Sequence, residues 1–599
     1  MVVDELHAFI GTERGVQLQS ILSRIESAIG GRHVDRVGLS ATLGDMRLAA
    51  MALRPGASAP ITIVEGQDPG SGLKIQIRGY HVPNVDRRTA RAFSDSDDED
   101  EDDAQTSAPQ PVVDDLFRVL RGRSNLLFAG SRQNVEIYAD ALRVESDKHG
   151  VPNEFFPHHG SLSKSEREAV EMRLREDTRP TTAIATTTLE LGIDIGEVES
   201  VAQIGPGASV ASLRQRLGRS GRRTGKSAIL RIYVVEQEPT RGGHPLDRLR
   251  LGLVQSMAMI ETLREGWCEP PVPMGLHLST LIHQILAVIL QTGGLTAASA
   301  YRLLCEQGAF RTTDKKLFAD LLRAMATPER RLVEQSRDGL LMIGAGGERL
   351  TESHEFYTVF TTSQDYRILH EGRVLGVYPS ASMIAPGQTL IFGGRRWRIV
   401  AVDSITKVIE VKSHSSGTPP RFDGQFAGVH DKIVAKMRQI LLSNELPIYL
   451  DDGAIRLIRE ARTAAHELEL SSRSIVPIGD GCLIMPWVGT KKLVSLALAL
   501  NLRGADASPL GHAVEMPRTS PDAAYQLLQS IATEAPPSPD ALAECVVQPQ
   551  RAKYDEFLPP DLMRLVTAIE HLDVASIPES ARASIGATNI ADSFEGASG

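Results

Sequence analysis

The sequence lacks the features that mark disulfide scaffolds, zinc ribbons and membrane proteins. Its 599 residues include only 4 cysteines, at positions 268, 305, 482 and 545. Because no two of them are close in sequence, a C-x-x-C redox motif, a zinc ribbon and a disulfide framework are disfavoured, and the usage fits a reducing cytosol. The amino terminus shows no signal-peptide pattern, and the most apolar run, residues 493–502, is about half a membrane span. We therefore expect a cytoplasmic protein with no membrane segment.

An overall excess of positive charge is lacking as well. The net charge is −10, and eight of the nine residues at 95–103 are acidic. Since these eight account for most of the negative charge, the rest of the chain is near neutral, and local basic patches decide whether a polyanion binds. Residues 94–111 contain too few apolar residues to fold, so we expect a solvated flexible loop. A segment that mimics nucleic acid and occupies a basic groove is the alternative.

Strands that alternate with helices dominate the first part of the chain. Short strands are predicted at residues 1–3, 34–39 and 61–64, helices at 15–29 and 45–53, and a further strand at 73–78. The alternation resumes over residues 112–235, where it is complete. This order predicts the α/β class, with a partial and then a complete doubly wound lobe, each built on a parallel sheet.

The pattern changes after residue 240. Three helical stretches followed by an Asp-Gly turn at Asp338 and Gly339 predict a winged helix, for which a small helical bundle is the alternative. Strand-rich residues 355–412 predict a small barrel or curled sheet, and helical and β patterns follow to residue 488. The predicted parts are a partial α/β lobe (1–80), an acidic linker (81–111), a complete α/β lobe (112–240), a connecting helix (241–276), a winged helix (277–348), a mixed α+β accessory domain (349–515), and a linker with a C-terminal tail (516–599).

Two short motifs near the amino terminus have the chemistry of nucleotide hydrolysis. Asp4 and Glu5 follow an apolar strand, where the first carboxylate can hold Mg²⁺ beside phosphates and the second can orient and deprotonate water. Such pairs are also common in solvated turns. Ser40-Ala41-Thr42 follows the next strand, where its hydroxyls either bond a neighbouring loop or cap the following helix.

A stronger signal lies near residue 200. The segment TTTLELGIDIG at 186–196 is followed by QRLGRSGRR at 215–223, and five of the ten residues 214–223 are arginine. Glycine lets backbone approach a phosphate closely, and arginine offers a permanent forked charge to phosphate oxygens. A spacing of three residues would aim Arg216, Arg219 and Arg222 to one side of a helical turn. This pattern predicts arginine fingers at a nucleotide cleft.

These motifs, in this order and spacing, resemble motifs II, III, V and VI of superfamily two helicases. The wider pattern is similar to the Lhr (large helicase-related) group. LLFAGSR at 126–132 and HHGSLSKSEREAVE at 158–171 resemble its second RecA-like domain, and FYTVF at 356–360 and GGRRWRIVAVD at 393–403 resemble its accessory domains. The resemblance covers about residues 1–500. It implies a partial RecA-like lobe, the C-terminal half of RecA-like domain 1, at residues 1–80 and a complete one, RecA-like domain 2, at residues 112–240.

The resemblance implies an ATP-dependent DNA or RNA helicase or translocase with ATP and Mg²⁺ as cofactors. It assigns catalysis to Asp4, which also binds the metal, and to Glu5, Arg219 and Arg222. It assigns nucleotide contacts to Gln215, Gly192 and Asp194, and to His7, which also couples to motif III. Contacts to the strand backbone, with little base preference, are implied for Ser131, Arg132, His159, Gly160, Ser161, Thr187 and Thr188.

Three tryptophans are candidates for stacking on bases. Trp397 is the strongest of them because Arg395, Arg396 and Arg398 surround it, and stacking is worth about 1–3 kcal/mol per base. Most tryptophans are instead buried in cores.

One family motif has no counterpart in these residues. The phosphate-cradling Gly-x-x-x-x-Gly-Lys-[Ser/Thr] loop belongs before motif II, but Asp4 is the fourth residue. We therefore expect weak ATP hydrolysis by this chain alone, and either a partner chain that supplies the missing half of RecA-like domain 1 or a truncated gene product. A non-enzymatic nucleic-acid-binding module and a regulatory subunit of a split helicase are the alternatives.

Overall fold

The computed structural model describes residues 1–40, 44–54, 61–64, 72–83, 108–160, 162, 164–176, 178–190, 195–221, 227–239, 243–271, 275–360, 366–370, 373–378, 389–392, 395–404, 406–413, 428–546 and 549–586. The acidic run at 95–103, predicted to be a flexible loop, lies outside these ranges. In the described ranges the strands form five sheets. None of the helices there combines the length and apolar composition that a bilayer crossing needs.

The largest sheet has six strands, all parallel. In spatial order they are Leu73–Val82, Ala228–Gln237, Ser200–Ile204, Asn125–Phe128, Thr182–Ala185 and Phe155–His158. Successive side chains of a strand point to opposite faces, and both faces are covered here. Leu127 packs in one apolar core, while Leu126 and Phe128 pack in the other. The helices of this lobe are Gln110–Leu120, Arg132–Lys148, Lys164–Glu176, Val210–Leu217 and Leu251–Arg264.

The sequence pattern predicts the strand Leu73–Val82 as part of the first segment. In the structure it belongs to this sheet instead. It pairs in parallel with Ala228–Gln237 along its whole length. Ile77 is fully buried, and its N–H donates to the Tyr449 carbonyl at 2.8 Å. The alternating pattern identifies a strand correctly, but the choice of a partner about 150 residues away depends on the tertiary fold.

The first segment, residues 1–54, is a small α/β unit. Its strands Val2–Val3 and Val37–Gly38 pair in parallel, and its helices are Glu13–Ala28 and Met46–Leu53. Val3, Leu6 and Leu22 belong to its compact core. Residues 61–64, predicted as a strand, have no regular secondary structure.

The helical module, residues 278–343, contains the elements that the sequence predicts. Helices Leu278–Thr292, Ala297–Tyr301 and Lys315–Met325 precede the hairpin of Val333–Gln335 and Leu340–Ile343, with Gly339 at φ 80° in its turn. The hairpin pairs with the short strand Leu295–Thr296. The predicted connecting helix is divided at Arg250 into Pro245–Arg248 and Leu251–Arg264.

The remaining strands form two sheets. One has five strands, in the order Arg373–Tyr378, Tyr366–His370, Val408–Ser413, Arg395–Asp403 and Thr389–Phe392. The other has four, in the order Ile475–Ile478, Gly481–Ile484, Ala513–Met516 and Ser508–Leu510. In sequence, helices Asp431–Leu442 and Asp452–Glu467 lie between the two sheets. Helix Thr490–Asn501 lies between the strands Gly481–Ile484 and Ser508–Leu510.

Residues 516–550 are not the linker that the sequence predicted. They contain helices Pro521–Thr533 and Pro539–Glu544, and helices Pro560–His571 and Ile577–Gly586 follow. Leu528 and Leu542 are fully buried in one core with Leu496. Two of the prolines that suggested a linker, Pro521 and Pro539, occupy the first helical position, where no N–H is needed, and Ser520 and Ser538 cap the two helices.

Candidate nucleotide and nucleic-acid site

Several predicted site residues follow adjacent strands of the six-stranded sheet at the same edge. Phe128 and His158 both pair with Ala185, so these three strands end in register. Ser131, His159 and Thr187 follow them within three residues. In parallel α/β sheets this carboxyl-terminal edge is where ligands bind. The structure therefore brings three of the predicted strand-binding positions to one edge.

Ser131 and Arg132 begin a helix at this edge. The Ser131 hydroxyl accepts a hydrogen bond from the Asn134 N–H at 3.1 Å, which caps the helix Arg132–Lys148. Gly130 precedes it at φ 78°, a conformation that glycine adopts without strain. Both Ser131 and Arg132 are exposed. An exposed, capped helix start of this kind favours contact with phosphate oxygens.

The next strand end presents Gly160 and not the imidazole of His159. The His159 ring is buried, and its Nε2 lies 2.6 Å from Glu136 Oε1. The prediction that His159 grips a strand is therefore disfavoured, because burial and this carboxylate hold the ring inward. Gly160 is exposed, and a Cβ placed on it would meet nothing within 4 Å. Ser161 lies outside the described residues.

The third strand end begins the segment that resembles motif V. Thr187 is exposed in a 3₁₀ turn, Thr187–Leu189. The side chain of Thr188 and the whole of Gly192 and Asp194 lie outside the described part of the chain. Of this motif, the exposed Thr187 hydroxyl is thus available at the sheet edge.

Arg216 forms a buried ion pair that the sequence did not reveal. It is 5% exposed, and its Nε donates to Glu190 Oε1 at 2.8 Å. The same guanidinium also bonds Gln203 and lies over the Phe128 ring, 4.4 Å from its centroid. Arg216 therefore connects motif VI to motif V inside the lobe. The sequence feature that could have indicated its burial is the three-residue helical spacing from Leu213, a core position on the same helix.

The three-residue spacing predicted that Arg219 lies on the same helix as Arg216, but it does not. The helix Val210–Leu217 ends before it, and Gly218 forms the C-cap. The Arg219 guanidinium is buried, and its Nη2 donates to the Glu190 carbonyl at 2.6 Å. Gln215 is half-buried. Arg222 lies outside the described residues, so the predicted pair of fingers is represented here by Arg219 alone.

The start of this helix has a second feature that the sequence did not indicate. The carboxylate of Glu269 accepts hydrogen bonds from the N–H groups of Val210 and Ala211, at 2.9 and 3.0 Å. A carboxylate is favourable at a helix start because the unpaired N–H groups and the helix dipole are positive there. Glu269 therefore fixes the motif VI helix to the connector that leads to the helical module.

Asp4 and Glu5 form a corner at the end of strand Val2–Val3. Asp4 is exposed, and its Oδ1 accepts from the Glu5 N–H at 2.9 Å. Glu5 has φ 50°, a left-handed conformation that costs a residue with a Cβ about 1 kcal/mol and is found most often at functional sites. An exposed, oriented carboxylate is an oxygen donor of the kind that Mg²⁺ binds. The corner therefore fits the metal role that the resemblance implies.

His7 lies next to Ser40 of the motif III segment, the segment to which the resemblance couples it. Its Nδ1 is 2.8 Å from Ser40 Oγ and 3.6 Å from Glu5 Oε2. Burial lowers the pKa of His7, while the carboxylates of Glu5 and Asp4 act in the opposite direction. The ring is therefore neutral near pH 7, and its Nδ1 can either donate a hydrogen bond to Ser40 Oγ or accept one from it. Ala41 and Thr42 lie outside the described residues.

Trp397 is a core residue, and the stacking prediction for it is wrong. The indole is 4% exposed and packs against His370, with ring centroids 4.7 Å apart. Ile368 and Val411 belong to the same small core. A buried indole has no free face for a base. The exposed Arg398 beside it, which suggested a nucleic-acid surface, points away from this core because neighbours in a strand alternate.

Comparison with known proteins gives the same assignment as the motifs. Residues 110–224 match the helicase conserved C-terminal domain. The chain is 30% identical over 315 residues to the Lhr helicase/uracil glycosylase of Escherichia coli (strain K12) and 26% identical over 574 residues to the Lhr helicase/probable uracil glycosylase of Mycolicibacterium smegmatis. These matches support the resemblance to Lhr-type superfamily two helicases that the motifs indicate.

The likeness to this family extends over nearly the whole chain in structure. The Mycobacterium smegmatis helicase Lhr, solved with ssDNA and AMP-PNP, superposes with a TM-score of 0.65 at 18% identity, covering 98% of this chain and 77% of that one. The RecA-like α/β fold predicted from the sequence is thereby confirmed. The two sequence matches cover 48% and 85% of this chain, but the chain spans only 19% and 36% of the length of those relatives.

Proposed function

We propose that this Lhr-type chain takes part in ATP-driven movement along single-stranded or partly duplex DNA. The observation that carries the proposal is the shared edge at which Ser131, Gly160 and Thr187 follow three strands that end in register. Hydroxyls, exposed backbone and a helix start bind phosphate and sugar without reading bases, as a translocase needs. The structurally similar Lhr was solved with ssDNA, which favours DNA over RNA as the strand.

The nucleotide would lie between the first segment and the six-stranded lobe. Asp4 would hold Mg²⁺, which neutralises charge on the β- and γ-phosphates when bound, and Glu5 would orient the attacking water. His7 would transmit the state of this corner to Ser40, 2.8 Å away. Arg219 would reach a phosphate only after releasing the Glu190 carbonyl, so closure of the cleft would exchange one acceptor for another.

An apolar surface on the first segment supports a further contact. Met1, Val2, Val37 and Leu39 are exposed on or beside its two short parallel strands. Parallel strands are normally covered on both faces and along their edges. We infer that additional residues of a RecA-like lobe, including the phosphate-binding loop, cover this surface, either on the same polypeptide or on a partner chain.

ATP hydrolysis stimulated by ssDNA tests this assignment. We expect a slow rate from these 599 residues alone, and a faster rate when a polypeptide that carries the phosphate loop is supplied. Glu5→Gln would then lower kcat by about 10²–10⁴-fold, because the group that activates water is lost. Fast hydrolysis by the chain alone that Glu5→Gln and Arg219→Ala leave unchanged would contradict the proposal. Salt-dependent DNA binding that ATP never affects, with or without the loop, would select a non-enzymatic nucleic-acid-binding subunit.

A further inference from the structure

Three distant parts of the chain meet at His277. His277 precedes the helix Leu278–Thr292, Glu13 begins the helix that follows the Asp4 corner, and Glu570 lies in the helix Pro560–His571. His277 is 6% exposed and has φ 48°, a left-handed conformation that a residue with a Cβ rarely adopts. Strained backbone of this kind is found most often at functional sites, where the surrounding structure holds the residue in that conformation.

The contacts at this junction bring three metal-ligating side chains together. His277 Nδ1 lies 2.6 Å from Glu13 Oε1, and the backbone N–H of His277 donates to Glu570 Oε1 at 2.9 Å. One ligand atom from each of the three side chains lies within 4.8 Å of the others. Among the described residues this is the one group of histidine, cysteine and carboxylate side chains with that geometry.

A cavity opens beside the three side chains. Its volume is about 350 Å³, and its walls include Asp555, Arg551 and Lys553 as well as Glu13, His277 and Glu570. The carboxylate of Asp555 is buried at this wall. The cavity is large enough for solvent and small polar ligands to reach the junction.

We propose that Glu13, His277 and Glu570 form a Zn²⁺ site whose fourth coordination position opens into this cavity. One imidazole nitrogen with two carboxylate oxygens suits Zn²⁺, and sites with three protein ligands leave one position for water. Tetrahedral bonds of about 2.0–2.2 Å place ligand atoms roughly 3.4 Å apart, so the three groups adjust by about 1 Å. The ion takes the place of the proton between His277 Nδ1 and Glu13 Oε1, and the neutral imidazole then carries its proton on Nε2, which no longer accepts a hydrogen bond from the Gly275 N–H 3.2 Å away.

The ion would link parts of the molecule that are far apart in sequence. Glu13 follows the Asp4 corner by nine positions, His277 is at the entrance to the helical module, and Glu570 is near the carboxyl terminus. The site is separate from Asp4, and it does not depend on ATP or DNA binding.

Equilibrium dialysis of the full chain against Zn²⁺, without nucleotide or DNA, tests the proposal. We expect one tightly bound ion per chain in the wild type and a loss of affinity of about tenfold or more in His277→Gln and in Glu570→Gln. His244→Gln is the matched control, since His244 Nε2 lies 3.7 Å from the Glu515 carboxylate, and the described part of the chain offers no third ligand there. Asp4→Asn should also keep the ion, which separates this site from the nucleotide corner.

Two results would overturn the proposal. One is a wild-type chain that retains no Zn²⁺, and the other is undiminished binding in both His277→Gln and Glu570→Gln. If His277→Gln does not fold, Glu570→Gln and the d–d absorption of Co²⁺ bound to the wild type decide, because tetrahedral coordination with a nitrogen ligand gives an intense visible band and hexa-aqua Co²⁺ does not. A Co²⁺ spectrum unchanged from that of the free ion would count against the site.

Discussion

At the scale of single residues, neighbouring arginines of one motif have different environments. Arg216 is enclosed by Glu190, Gln203 and the Phe128 ring, whereas Arg214, two residues earlier, is exposed. The sequence predicts that arginines 216, 219 and 222 share one side of a helix. It could not show that the helix ends at Leu217, because a Gly-Arg-Ser-Gly run is compatible with a helix end or a loop.

Arg216→Met is expected to lower the free energy of unfolding by about 3–5 kcal/mol, because it leaves the Glu190 carboxylate buried without its cation. Urea denaturation measures the effect. Arg214→Met, on the same helix but exposed, should change stability by about 0.5 kcal/mol or less. The double variant Arg216→Met with Glu190→Leu should recover much of the loss, and a loss no larger than that of Arg214→Met would show that the ion pair is not structural.

At the scale of elements, strand and helix patterns were predictable wherever they were local. The alternation predicted over residues 112–235 is present in the structure, which has buried strands at Asn125–Phe128 and Thr182–Ala185. The strand Leu73–Val82 was found but assigned to the wrong lobe, since pairing depends on residues distant in sequence. The helices at Pro521–Thr533 and Pro539–Glu544 were missed because Ser-Pro, which caps both, also marks linkers.

The cap of helix Arg132–Lys148 separates stability from binding. Ser131→Ala should cost about 1 kcal/mol of stability, because the Asn134 N–H loses its acceptor, and should also weaken ssDNA binding. Ser520→Ala removes an equivalent cap, that of the Ala523 N–H, far along the chain. It should cost a similar stability and leave ssDNA affinity unchanged. Thermal melting and fluorescence anisotropy measure the two effects, and equal affinity in both variants would remove Ser131 from the binding edge.

At the scale of the whole molecule, buried neutral histidines make stability depend on pH. Burial lowers the pKa of His283 and of His512 to about 4. Lys553 and Arg24 face His283 and act in the same direction, while its bond to the Phe356 carbonyl opposes them. Below its ordinary pKa of 6.5 the imidazole is protonated in the unfolded chain first, so stability is present above pH 6.5 and is lost as the pH falls towards 4.

Replacing His283 by Gln should flatten this dependence, because the amide can donate to the same carbonyl but does not titrate. The wild type should lose on the order of 3 kcal/mol more than His283→Gln between pH 6.5 and 4. Chemical denaturation at a series of pH values gives both curves. Parallel curves would mean that the pKa of His283 is the same in the folded and the unfolded chain.

The family and the α/β fold were predictable because motifs V and VI are local in sequence. The sheet edge follows from them, since strand ends of a parallel sheet meet on one side. The buried positions of His159, Arg219 and Trp397 did not follow, because each depends on partners from another element. The junction of Glu13, His277 and Glu570 has no sequence signal at all, since its members are hundreds of residues apart.

The central claim is that the carboxyl-terminal edge of the six-stranded sheet binds the nucleic-acid backbone. Gly160→Glu tests it most directly, because the new side chain has open space and adds negative charge at the edge. Gly586→Glu, also in open space, is the control. Fluorescence anisotropy with single-stranded DNA should show weaker binding by Gly160→Glu at low salt and wild-type binding by Gly586→Glu, with unchanged melting temperatures for both. Wild-type affinity in Gly160→Glu would contradict the claim.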